Sequence, residues 1–237
     1  MYLPFYYDET YILVLIGVVI SLIASARVKS TFAKYSRVRN ARGITGAEAA
    51  AAVLRSAGIY DVRIERVAGN LSDHYDPRTK VLRLSEPVYD QCSVAAVGVA
   101  AHECGHAIQH AKRYAPLTLR SLLVPIANFG SGIAWPLILI GLLFNSQSSN
   151  IFIYLGIIAF STAVLFQLIT LPVEFNASNR AIKMITQNEI LDYYELKGTR
   201  KVLKAAALTY VASAAASILQ LLRIVLLAGG RRRGGRR

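Results

Sequence analysis

The chain has 237 residues, room for one or two domains. Hydrophobic residues make up 54% and charged residues 17%, a balance too apolar for an ordinary soluble protein and one that points to membrane spans. The net charge of +13 does not indicate a nucleic-acid partner. Basic residues flank the apolar runs, as in juxtamembrane anchoring to anionic lipid, and no nucleic-acid motif is present.

Residues 1–10 are acidic and aromatic and contain no basic residue. The apolar run at 11–26 therefore lacks the basic start of a cleaved signal peptide and reads as a first membrane span. Arg27, Lys29, Lys34, Arg37, Arg39 and Arg42 follow it. By the positive-inside rule they place this segment in the cytoplasm and the N-terminus outside.

Residues 45–120 read as a water-facing α+β region. Thr45-Gly46-Ala47-Glu48 opens an alanine-rich helix that ends near Gly58. Residues 61–67 and 80–85 alternate apolar and charged side chains, predicting two half-buried strands in a hairpin-like arrangement around a turn-rich stretch at 69–78. Residues 93–113 contain no proline, are rich in alanine and valine, and predict one partly buried helix.

That helix carries the chemistry. His102-Glu103-Cys104-Gly105-His106 is the H-E-x-x-H pattern. The two histidines lie one helical turn apart on one face, so both imidazoles can reach a single ion. Glu103 lies beside that face, placed to take a proton from an activated water rather than to bind metal. Cys92 and Cys104 form no C-x-x-C pair, which suits a reducing compartment. Cys104 points away from His102 and reads as a buried small hydrophobe. His110 is ~12 Å along the axis from His102, too far for all three histidines to share one ion.

Three further spans follow, at 122–144, 151–171 and 205–222, with a short uncharged turn at 145–150 between the first two. The last is rich in small residues suited to close helix packing. If it crosses, the five arginines of the tail after residue 230 lie outside, against the positive-inside tendency; its apolar length nevertheless favours crossing. The expected organisation is an N-terminal segment and span (1–26), a peptidase region (27–120), a membrane hairpin (121–172), a ligand-bearing helix (173–204), and a fourth membrane segment with a basic tail (205–237).

A catalytic zinc usually takes a third protein ligand. Two spans separate the H-E-x-x-H helix from Glu174, so the chain returns to the same side and Glu174 can meet both histidines. Pro172 could start a helix with Glu174 in its first turn and Ser178 one turn on. A first-turn acid favoured by the helix dipole is the other reading of Glu174.

Taken together, TGAEAA from Thr45, NLSDHYDPRTKVLRLS, VAAHECGHAIQHA and LPVEFNASNRA resemble the YugP-type neutral zinc metallopeptidases of bacterial membranes, over residues 35–203. The resemblance implies a membrane-embedded zinc endopeptidase holding one zinc ion with His102, His106 and Glu174, and Glu103 as general base. The EFNAS stretch is more distantly similar to the E-x-x-x-D helix of the CAAX prenyl protease and heat-shock membrane protease superfamily, whose acid supports a ligand histidine. This chain has Ser178 there, which implies a hydroxyl contact instead.

Arg180 is a candidate for contact with a substrate carboxylate, and His74 for stabilising an oxyanion or, more plainly, its turn. Residues 80–85 are either an exposed edge strand able to bind an extended peptide or an ordinary paired strand. The expected protein is therefore a mainly α-helical, multi-pass cell-membrane protein with about four spans and a small zincin-like α+β region. It would cut protein or peptide substrates through a zinc-activated water at the cytoplasmic face. Its rivals are a zinc protease that cuts within the bilayer and an inactive zinc-binding scaffold.

Overall fold

The computed structural model describes residues 9–144 and 150–234. Among the described residues the elements run α1 (Tyr11–Tyr35), α2 (Gly46–Ser56), β1 (Arg63–Val67), β2 (His74–Asp76), β3 (Val81–Ser85), α3 (Glu86–Tyr89), α4 (Val94–Ala111), α5 (Ala115–Leu143), α6 (Asn150–Gln187) and α7 (Tyr193–Gly234). The expected turn at 145–150 lies outside the described residues except for Asn150, as do residues 1–8 and the last three residues of the basic tail.

Four helices, α1, α5, α6 and α7, are long and apolar enough to cross a membrane, which makes this a mainly helical integral membrane protein. Their apolar lengths form one compact unit: Met1–Ile23, Arg120–Ile169 and Val211–Arg237. Large side chains such as Leu122, Phe129 and Ile158 are exposed there, whereas Ala127, Ala134 and Ala159 are buried. Lipid tails are as apolar as leucine, so small residues between helices gain more from close packing than large ones would.

The second unit comprises Ala24–Leu119 and Thr170–Tyr210 and holds every residue discussed below as a site. Its α2 begins with a capping box: the Thr45 hydroxyl accepts from the Glu48 backbone N–H, and the Glu48 carboxylate accepts from that of Thr45. This satisfies two of the orphan donors of the first turn. Ala49, Ala50, Val53 and Leu54 of α2 then pack in one core with Ala100, Ala101, Cys104 and Ile108 of α4.

The sheet departs from the hairpin expectation. Its order is β1-β3-β2, with β1 parallel to β3 and β2 antiparallel to it. Three residues in the turn-rich stretch, too short to show a period, form β2 and occupy the far edge of β3. The Asp76 carboxylate closes the β2–β3 turn by accepting from the Arg78 N–H and the Thr79 hydroxyl. The central strand is therefore β3, with Val81, Leu82, Leu84 and Ser85 all buried, so it is not an edge that could take an added peptide strand. Ser85 is accommodated because its N–H and hydroxyl both donate to the Asp73 carboxylate.

A second correction concerns Pro172. No helix starts there; α6 runs unbroken from Asn150 to Gln187 with Pro172 inside it. One missing N–H does not end a helix whose other face is buried on either side of the proline, at Thr170, Val173 and Glu174. Glu174 is thus mid-helix, and the first-turn dipole reading of this acid falls away.

Candidate metal centre

Helix α4 starts where the Ser93 hydroxyl caps the Ala96 N–H, and it lays its alanine-rich side against α2. That burial turns His102 and His106 to the opposite side, where each side chain stays 13% exposed. Helix α6 closes over this side, with the Glu174 side chain only 3% exposed.

The approach of α4 to α6 is very close at one point. A Cβ built on Gly105 would collide with the Ala177 carbonyl oxygen, inside any non-bonded carbon–oxygen contact. Glycine between the two histidines thus lets the α6 backbone sit directly on α4. Glu174 lies one turn before Ala177 and meets the histidines.

Glu174 Oε2 is 3.3 Å from His102 Nε2 and 3.6 Å from His106 Nε2. All three potential ligand atoms lie within 4.8 Å of one another. The opposite ring nitrogens are fixed from behind. His102 Nδ1 is 3.1 Å from Ser178 Oγ, and His106 Nδ1 is 3.0 Å from Gln109 Oε1. Gln109 Nε2 donates to the Val173 carbonyl (2.8 Å) and to Asn176 Oδ1 (3.0 Å), so its Oε1 is the free acceptor. His106 must then donate through Nδ1–H, leaving Nε2 and its lone pair for the site.

A model of one protein family, described as "Putative neutral zinc metallopeptidase", matches residues 10–229 of this chain. The chain belongs to that family. It is also 52% identical over 207 residues to the Bacillus subtilis (strain 168) protein named "Putative membrane protease YugP", a match covering 87% of this chain and 91% of that one. No solved structure matches.

Zinc is the metal of this metallopeptidase family, and the donor set fits it. Two imidazoles and one carboxylate form a three-ligand set of the kind that leaves a fourth position open. Two ligand atoms each ~2.0–2.1 Å from one tetrahedral ion stand roughly 3.4 Å apart. The two Glu174–histidine separations of 3.3 and 3.6 Å bracket that figure.

Glu103 is buried, and among the described residues its carboxylate makes no hydrogen bond or ion pair. Its charge nevertheless reaches its helical neighbours. Burial opposes a proton on His106, but the Glu174 carboxylate beside it and the negative charge of Glu103 outweigh that, so its pKa is raised. Burial, reinforced by the Glu103 charge, pushes the Cys104 thiol well up, and its Sγ packs 3.6 Å from the Ala50 carbonyl. Cys104 is a neutral core group facing away from the ligands.

Ser178 is the one outer residue named from sequence that touches a ligand. Arg180 Nε donates to Asn176 Oδ1 (2.6 Å) while its guanidinium lies over the Tyr114 ring at 5.7 Å. His74, exposed on β2, has Nδ1 2.8 Å from the Ser72 carbonyl and Nε2 3.4 Å from Arg83. The pKa of the neighbouring Tyr75 is raised to about 12 by burial and by the charges of Asp61 and Asp76, so its hydroxyl stays protonated, and it hydrogen-bonds with His110 Nδ1 at 2.9 Å. Sequence reasoning passed over Gln109 and Asn176. The available signal was an uncharged amide three residues past His106 on an otherwise apolar helix face, which burial can satisfy only through specific partners.

Two outcomes follow for zinc titrated calorimetrically into the metal-free protein. Zinc held by His106 would compete with a proton for Nε2. Because that pKa lies above the unfolded value, the proton's stabilisation of the metal-free fold is complete at acid pH and lost as pH rises through the folded value. Zinc affinity runs the other way, rising by up to about tenfold per pH unit below that value. Gln109→Leu, which removes the acceptor behind His106, is expected to weaken zinc by about 10–100-fold.

Proposed function

We propose that this protein is a zinc-dependent endopeptidase of the cell membrane that hydrolyses peptide bonds in protein or peptide substrates, with its active site at the cytoplasmic face. The observation that carries the reading is the convergence of His102, His106 and Glu174 on one point beside a carboxylate, Glu103, that makes no hydrogen bond or ion pair among the described residues.

In this proposal His102, His106 and Glu174 hold one zinc ion. Zinc would supply Lewis acidity to the scissile carbonyl and bring the pKa of water towards neutrality. Glu103 takes one proton from the attacking water as its oxygen bonds to the carbonyl carbon. It passes that proton to the amine nitrogen as the carbon–nitrogen bond breaks, and the water's second proton leaves the new carboxyl group for the amine, giving a carboxylate and an ammonium group. Ser178 and Gln109 hold the imidazoles in the orientation that presents Nε2, and Gln109 Oε1 also selects the tautomer of His106. Arg180 acts behind them: it anchors Asn176, which in turn holds Gln109.

A structural zinc site would close its fourth position and have no use for Glu103. A protease cutting within the bilayer would be expected to draw its acid from an aspartate in a span, and none lies in the apolar runs. The cytoplasmic assignment rests on the basic residues that follow the apolar part of α1.

The decisive assay compares casein cleavage and zinc content of the purified wild type with those of Glu103→Gln. Retained zinc with cleavage reduced by about 10²–10⁴-fold is expected; equal cleavage by the two proteins contradicts the mechanism. For orientation, alkaline phosphatase fused after Lys112 should be inactive and fused after Gln147 active. The reverse pattern would put the site on the outer face.

A further inference from the structure

Away from the metal centre, the segments of α1 and α7 in the second unit enclose a groove of about 510 Å³. This lies within the size range of small-ligand sites. Four cations line it: Arg27 and Lys34 from α1, Lys201 and Lys204 from α7. On α1, Arg27, Thr31 and Lys34 follow the i, i+4, i+7 spacing of one helix face, and on α7 Lys201, Lys204 and Leu208 share a face at i, i+3, i+7. Each helix therefore turns a charged stripe towards the other.

The groove has a defined wall. At one end the helices touch, since a Cβ on Gly198 of α7 would lie 2.7 Å from the Tyr35 ring of α1. No carboxylate lines it, and among the described residues none of the four cations has an ion-pair partner. Four like charges around one concavity repel each other, and a bound anion would relieve that repulsion. Lysine, arginine and the Thr31 hydroxyl are donors suited to phosphate oxygens.

Position selects among phosphate sources. The lining begins at Arg27, directly after the apolar run of α1 ends at Ala26, and it includes Ala205 and Leu208 at the start of the apolar run of α7. Along both helices this is the level at which apolar surface gives way to charge, where lipid headgroups lie.

We propose that this groove binds the phosphate headgroup of one anionic phospholipid molecule, a role independent of the metal centre. The test is native mass spectrometry of the full, zinc-loaded chain in a neutral detergent, with phosphatidylglycerol or phosphatidylcholine added. The wild type should retain one phosphatidylglycerol and no phosphatidylcholine. Lys34→Gln/Lys201→Gln/Lys204→Gln should lose about tenfold or more of that binding. The charge-matched control Arg55→Gln/Arg78→Gln/Lys183→Gln should keep it.

Equal retention by the two triple variants would overturn the proposal. Displacement of the lipid by an equal concentration of inorganic phosphate would also overturn it, since the site would then belong to a soluble anion. Zinc content and thermal midpoint report whether the groove variant folds. If it does not, Lys204→Gln alone carries the test, with a loss of about fivefold expected and no loss contradicting it.

Discussion

The close contact between Gly105 and the Ala177 carbonyl is the constraint on which the site depends. It falls between the two histidines on α4 and between Glu174 and Ser178 on α6. One backbone contact therefore sets both the carboxylate's approach to the imidazoles and the hydroxyl's approach to His102. A larger residue at position 105 would separate the helices by more than the site tolerates, because the separations of 3.3 and 3.6 Å leave little slack around a single ion.

Behind that contact the protein orients His102 and His106 with neutral dipoles. Ser178 and Gln109 address the outer nitrogens of the two histidines, and Gln109 is itself held by a carbonyl and an amide oxygen of α6. In a buried setting, neutral partners orient the imidazoles without adding another negative charge to a site that already contains Glu174 and Glu103. Ser178 fits this arrangement: its hydroxyl places a dipole at His102 and adds no charge.

How much was legible in the sequence depended on the range of each interaction. His102, Glu103 and His106 could be read directly because one helical turn is a local spacing. Glu174 could be reached only by counting two membrane crossings, a topological argument that needs no side-chain detail. The parallel β1–β3 pairing could not be read, since it depends on the three-residue β2 lying beyond β3. Pro172 misled because the rule that proline opens helices is local, whereas the buried face at Thr170, Val173 and Glu174 carries α6 through it. Gln109, Asn176 and the cationic groove depend on side chains from separate helices, and no period within one segment reveals them.

The central claim is that zinc sits among His102, His106 and Glu174. Zinc K-edge X-ray absorption of the purified protein tests it most directly. The account predicts a first shell of nitrogen and oxygen only, at about 2.0–2.1 Å, with scattering from two imidazoles, and loss of one light-atom ligand or of the metal itself in Glu174→Ala. A sulfur shell near ~2.3 Å, a third imidazole, or an unchanged shell in Glu174→Ala would contradict it.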